Sequence, residues 1–83
     1  MTKKPDEIAL WNKIWDRLDK GEKFYDDFNF EDVVDELQIP DKRADYILEK
    51  WSGYGLVDYG VNIWYGWIAV EDGITRNSLD VKS

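Results

Sequence analysis

The chain has 83 residues and a formal net charge of −7, and it contains neither cysteine nor histidine. These absences exclude disulfide bonds, zinc sites built from cysteine and histidine, thiol nucleophiles and histidine general bases. We therefore predict no enzymatic activity, no metal site and no cofactor. Five tryptophans, five tyrosines and three phenylalanines predict one small domain, residues 1–83, that is stabilised by aromatic packing.

Hydropathy and charge indicate where the protein is located and which partners it can bind. No stretch reaches the roughly 18 to 20 apolar residues of a membrane span, and the start of the chain lacks the apolar block of a signal peptide. We expect a soluble, intracellular, cytoplasmic protein without membrane contact. Residues 22–36 hold seven acidic side chains against Lys23, and residues 51–75 contain no lysine or arginine. Nucleic-acid surfaces ordinarily need these cations to neutralise phosphates.

The first predicted element is a helix over residues 6–20. Pro5 suits its start, and Gly21 suits a cap after its end. Its apolar residues recur with a period near 3.6 at Ile8, Trp11, Ile14, Trp15 and Leu18.

Two further helices are predicted after a short aromatic connection. Asn29, with Asp32 three positions on, resembles a capping box for a helix that ends before Ile39-Pro40. Asp41 is expected to cap the third helix, which ends near Gly53-Tyr54-Gly55. Its apolar positions are Ala44, Ile47, Leu48 and Trp51. We assign Trp11, Trp15 and Trp51 to the core.

A hairpin is predicted next, with strands at 56–59 and 64–70 and a turn at residues 60–62. Residues 74–83 show no pattern, and we expect them to fray. An extended backbone sends alternate side chains to opposite sides, and both predicted sides of the second strand are largely apolar. The outer side is then covered by the tail, covered by a partner or partly exposed. One predicted side consists of Ile63, Tyr65, Trp67 and Ala69, and the opposite side consists of Trp64, Gly66, Ile68 and Val70.

The order of these elements resembles a winged helix-turn-helix domain over about residues 7–72. The segment ELQIPDKRADYILEKWSGYGLVDY is similar to the family's second helix, turn, third helix and following strand. The resemblance implies an α+β fold with three helices and a small antiparallel sheet. It also implies a third helix that reads the DNA major groove and a wing, residues 60–63, that contacts the backbone. By position, the DNA-reading candidates are Lys42, Arg43, Tyr46 and Lys50.

Charge disfavours duplex DNA as the partner. Asp41, Asp45 and Glu49 cancel the three bases of the third helix, and the wing is uncharged. An uncharged aromatic surface is instead typical of the centre of a protein interface. We predict the interface residues Ile63, Trp64, Tyr65, Trp67 and Ile68.

Three functions remain open. The leading hypothesis is an acidic winged-helix module that acts in a regulatory or nucleic-acid-processing assembly, through a protein partner or as a homodimer. The first alternative is a sequence-specific, DNA-binding transcription regulator. The second is an acidic mimic of DNA that uses the carboxylates of residues 22–36 to bind a basic protein.

Overall fold

Helix α1 spans Pro5–Asp19 in the computed structural model, which describes residues 5–82. The predicted helix over residues 6–20 is confirmed to within one residue at each end. It ends because Gly21 adopts a left-handed conformation, with φ +92°, and its N–H donates to the carbonyl of Leu18. The buried side of α1 carries Leu10, Trp11, Ile14 and Trp15.

Helix α2 spans Phe30–Glu36 and begins with the predicted capping box. The Asn29 side chain accepts from the Asp32 N–H, and the Asp32 carboxylate accepts from the Asn29 N–H, both at 3.0 Å. This reciprocal pair satisfies two donors that a helix start otherwise leaves open. Phe30, Val33 and Val34 bury the inner side of the helix.

Helix α3 spans Asp41–Gly53 and follows the turn at Ile39-Pro40. The prediction that Asp41 caps this helix is wrong, because Pro40 occupies the cap position and Asp41 is the first helical residue. An acidic side chain in the first turn still suits the positive end of the helix dipole. Gly55, with φ +80°, turns the chain after the helix as expected.

The sheet has two short antiparallel strands, β1 at Val57–Asp58 and β2 at Trp67–Ile68. Val57 pairs with Ile68, and Asp58 pairs with Trp67. Within the predicted second strand over residues 64–70, only Trp67–Ile68 forms a strand, and 3₁₀ turns at Ile63–Tyr65 and Val70–Asp72 replace its two ends.

The predicted alternation across residues 63–70 is wrong for the same reason. A 3₁₀ turn repeats every three residues, so Ile63 and Gly66 both face inward. The buried residues therefore come from both predicted sides, as do the exposed ones. The buried residues are Ile63, Gly66, Ile68 and Ala69, and the exposed ones are Tyr65, Trp67 and Val70.

The chain after β2 packs against α1 and ends in helix α4, Ser78–Lys82. Leu79 is buried in the core, and the Trp11 indole N–H donates to the carbonyl of Arg76 at 2.7 Å. This packing argues against the frayed tail that we expected over residues 74–82, while Ser83 lies outside the described residues. The described part of the tail thus contacts α1, while Tyr65, Trp67 and Val70 of the hairpin stay exposed.

One aromatic core joins these elements into a compact α+β fold. Trp11 packs edge-on against Trp51 of α3, with ring centroids 5.1 Å apart, and lies 5.9 Å from Trp15. All three tryptophans are buried, which confirms their assignment to the core. The radius of gyration, 11.7 Å, matches the value of about 12 Å for a compact chain of this length. In the part of the chain that the structure describes, no helix has the length and apolar character needed to cross a bilayer.

Candidate functional site

Two of the four DNA-reading candidates are bound by acids at the start of α1. The Arg43 Nε donates to the Asp6 carboxylate at 2.6 Å, and the Lys50 Nζ lies 3.3 Å from the Glu7 carboxylate. The other two candidates, Lys42 and Tyr46, are exposed. Among the four candidates, Lys42 is thus the one cation that forms no ion pair with a described residue.

Glu7 explains why Lys50 is held so closely. Its side chain is 3% exposed and also accepts a hydrogen bond of 2.9 Å from the buried Trp51 indole. Burial alone lowers the pKa of Lys50, but the hydrogen bond and charge of Glu7 outweigh burial and hold that pKa above its ordinary value. Lys50 is therefore the counter-ion of a buried carboxylate. Its removal would leave that carboxylate buried without a compensating charge, which costs stability.

The predicted interface residues separate into two groups. Ile63 and Ile68 are 5% and 2% exposed and belong to the core, so their assignment to an interface is wrong. They are buried because the 3₁₀ turn and the short β2 strand rotate them inward. Tyr65 is 69% exposed and Trp67 39% exposed, while Trp64 is half-buried.

Four exposed aromatic side chains surround Gly66, and we call them the aromatic rim: Tyr25, Tyr59, Tyr65 and Trp67. The Tyr25 hydroxyl donates to the Gly66 carbonyl at 2.6 Å, which ties the α1–α2 connection to the hairpin. Burial of this hydroxyl, with a smaller effect of Tyr65, raises the pKa of Tyr25 above its ordinary value. The hydroxyl is thus a donor at neutral pH.

A groove opens beside the aromatic rim, between α2, the first turns of α3 and the β1–β2 connection. Its volume is about 560 Å³, within the range of small-molecule and peptide sites. Helix α2 contributes two acids, α3 contributes two acids and a lysine, and the connection contributes an amide and two rings. The lining residues are Glu31, Asp35, Asp41, Lys42, Asp45, Asn62, Trp64 and Tyr65.

The groove is acidic, and most of its carboxylates form no ion pair with a described residue. Its four carboxylates and one lysine give a formal charge of −3. Among the described residues, no cation pairs with Glu31, Asp35 or Asp41. Asp45 accepts a hydrogen bond from the Trp64 indole at 3.2 Å. Unpaired carboxylates beside aromatic rings attract cations by charge and by the ring faces.

Two hydrogen bonds hold Trp64 at the edge of this groove. The Asn62 side chain accepts from the Trp64 N–H at 2.9 Å and so caps the 3₁₀ turn. With its indole bonded to Asp45, Trp64 bridges the β1–β2 connection and α3. The ring is therefore placed before any ligand arrives.

The arrangement does not suit a metal ion. Within residues 5–82, no group of three or more acidic side chains is placed to hold one. The carboxylates instead lie on separate elements around an open space, where they can contact different parts of one ligand.

Sequence reasoning found the rings of this site but not the groove. The acidic block of residues 22–36 was predicted only as one surface that could bind a basic protein, and two of its residues, Glu31 and Asp35, line the groove. Asp41 and Asp45 were interpreted as charges that weaken DNA binding, and Asn62 as part of a turn. The helical spacing of Asp41 and Asp45, four residues apart, was the signal that they share a side of α3.

Comparisons of the chain with protein-family models, with curated proteins and with solved structures gave no match. The site is therefore interpreted from its own chemistry.

Proposed function

We propose that the chain is an acidic winged-helix binding module that acts through contacts with another protein and not by reading DNA. The support for the fold type is the element order: α1, a short connection, α2, a tight turn, α3 and a two-stranded hairpin. The connection departs from a regular sheet strand, since Phe24 and Phe28 form an isolated bridge with each other. Tyr25 reaches the hairpin by its side chain instead.

The observation that carries the proposal is the exposed aromatic rim next to an acidic groove. Tyrosine and tryptophan are enriched where proteins bind each other, because large rings bury much area at low entropic cost. The DNA alternative loses support because Arg43 and Lys50 are bound to Asp6 and Glu7. Each phosphate contact that is missing removes part of the salt-dependent affinity for DNA.

Site-specific photo-crosslinking tests the function directly. A benzophenone amino acid replaces Tyr65 in the full chain, which is then irradiated in an extract of its native cells. We expect adducts that a protease removes and a nuclease leaves intact. The matched control places the same group at the exposed Asn77, just before α4 and outside the aromatic rim and the groove, and should give few adducts.

Two outcomes contradict the proposal. Adducts at Tyr65 that a nuclease removes support the DNA-binding regulator, and yields equal to those at Asn77 leave the rim without a partner. Irradiation of the purified chain alone distinguishes self-association, because only a homodimer gives an adduct of twice the chain mass. Tryptophan fluorescence with duplex DNA at about 50 mM salt should show no binding, since salt this low favours even non-specific complexes.

A further inference from the structure

We propose that the groove binds an extended, arginine- or lysine-bearing segment of a partner protein, with a cationic side chain held between Tyr65 and the carboxylates. This inference rests on the proposed function and specifies the chemistry of the partner. The binding site is the acidic groove between α2, α3 and the β1–β2 connection.

Charge complementarity selects the occupant. The groove has a formal charge of −3 in a molecule of net charge −7, so an anionic or second identical chain is repelled. Among the described residues, Glu31, Asp35 and Asp41 form no ion pair, although Lys42 lines the same groove. A guanidinium or ammonium group entering the groove would supply the missing counter-charge and several hydrogen-bond donors.

The rings give the groove a preference for organic cations over small ions. Tyr65 is 69% exposed and lines the groove together with the half-buried Trp64. Aromatic faces attract arginine and lysine side chains by their electron density, and the attraction increases when water is excluded. A metal ion has no matching set of ligands in residues 5–82.

The dimensions of the groove admit more than a single side chain. A volume of about 560 Å³ exceeds what one side chain fills. Tyr65 belongs both to the groove and to the aromatic rim, which continues through Trp67. A segment with a basic residue in the groove can therefore lay a neighbouring apolar residue on the rim.

The test titrates the ¹⁵N-labelled chain with an acetylated, amidated nonapeptide (Gly-Arg-Gly)₃ and follows the indole N–H signals by NMR. Trp64 reports on the groove, while Trp11 and Trp51, whose indoles bond Arg76 and Glu7, serve as internal references. We expect a saturable shift of the Trp64 signal that weakens with salt. The same peptide with citrulline, which keeps the shape of arginine without its charge, should not bind.

Variants then assign the binding to the groove. Asp35→Asn with Asp45→Asn removes two charges and keeps an oxygen acceptor for the Trp64 indole, and we expect about a fivefold loss of affinity. Glu71→Gln with Asp72→Asn removes the same charge at exposed positions outside the groove. This control should lose less than about twofold because surface charges at a distance are screened. If the first variant does not fold, Glu31→Gln takes its place.

The ring contribution is tested at Tyr65. Tyr65→Phe keeps the aromatic face and should bind like the parent chain, whereas Tyr65→Ala should bind about threefold more weakly. The inference is overturned if the citrulline peptide binds equally or if the two charge variants behave alike. Free arginine amide binding as tightly as the peptide would also overturn the extended segment. Crosslinks from Tyr65 to protein together with any of these results reject the cationic segment and leave the proposed function standing.

Discussion

Gly66 is the residue at which the hairpin has no room for a side chain. Its backbone is extended, with φ −89°, so its conformation alone does not demand glycine. A Cβ atom there would lie 2.5 Å from the Asp58 carbonyl oxygen and 2.9 Å from the Tyr59 Cβ. The close approach of β1 to the β1–β2 connection therefore explains the glycine.

Gly66→Ala should destabilise the protein by about 2 kcal/mol, because backbone must shift to admit the methyl group. Gly60→Ala is the matched control, since a Cβ atom at Gly60 has no neighbour within 4 Å. The control should leave stability unchanged or raise it slightly, because alanine restricts the unfolded chain. The free energy of unfolding in urea measures both. Equal stability of the two variants would contradict the close packing at Gly66.

Glu7 is a second residue with a large expected effect, because it is a buried carboxylate between two helices. Glu7→Ala leaves the buried Trp51 indole N–H without an acceptor and Lys50 without its counter-ion. We expect a loss of about 2–3 kcal/mol in the free energy of unfolding. Glu7→Gln keeps an acceptor for the indole and should lose less. Glu49→Ala, at an exposed position of α3, should change stability by less than about 0.5 kcal/mol. A similar loss at position 49 would rule out a special role for Glu7.

At the scale of elements, one arginine helps to hold the tail on α1. The Arg76 guanidinium lies 2.7 Å from the Asp16 carboxylate and 2.8 Å from that of Asp19, both on α1. Hydrogen bonding from Arg76 holds the pKa of Asp16 below its ordinary value of 3.8, although partial desolvation opposes this shift. These contacts, with the bond from Trp11 to the Arg76 carbonyl, fix the chain between β2 and α4.

The sign of the shift predicts tail release in acid. Because the folded pKa of Asp16 is lowered, its contribution is complete above pH 3.8 and is lost as the pH falls through the lowered value. We expect lower amide protection factors in residues 78–81, after correction for the slower intrinsic exchange at low pH, and a changed Trp11 indole signal at acidic pH. Arg76→Gln should produce the same changes at neutral pH. Arg17→Gln, which removes a pair with Glu22 elsewhere on α1, is the control. Tail exchange that is equal in both variants would contradict the role of Arg76.

The elements also show where sequence patterns are sufficient. Periodic apolar residues and a capping box placed the three main helices nearly to the residue, because those features act within one or two turns. The hairpin was predicted in the right place but with the wrong regularity. The lack of space at Gly66 arises between segments, and apolar spacing does not encode it. The Asn62 cap is local, but it is a polar contact that apolar spacing does not encode either. The tail was missed because Arg76 is an isolated residue whose partners lie on α1, and Leu79 is a single buried apolar residue without a repeating pattern around it.

At the scale of the whole molecule, the amount of charge was easier to predict than the positions of the charged side chains on the folded surface. The sequence indicated an acidic block and a stretch without bases, and both shape the surface. The folded chain additionally removes Arg43 and Lys50 from the reading face by pairing them with Asp6 and Glu7, 37 and 43 residues earlier. It also brings acids from two helices to the rings of the β1–β2 connection. Such long-range pairings require the tertiary fold, which local pattern does not give.

The acidic groove has a consequence for the rate at which molecules meet this protein. A concave surface of formal charge −3 on a chain of net charge −7 raises the nearby concentration of cations. Encounters with positively charged molecules are accelerated, and those with anions are slowed, before any contact forms. Because Trp64 is already fixed by Asn62 and Asp45, little rearrangement of that ring follows the encounter. The surface is thus suited to fast association with positively charged molecules.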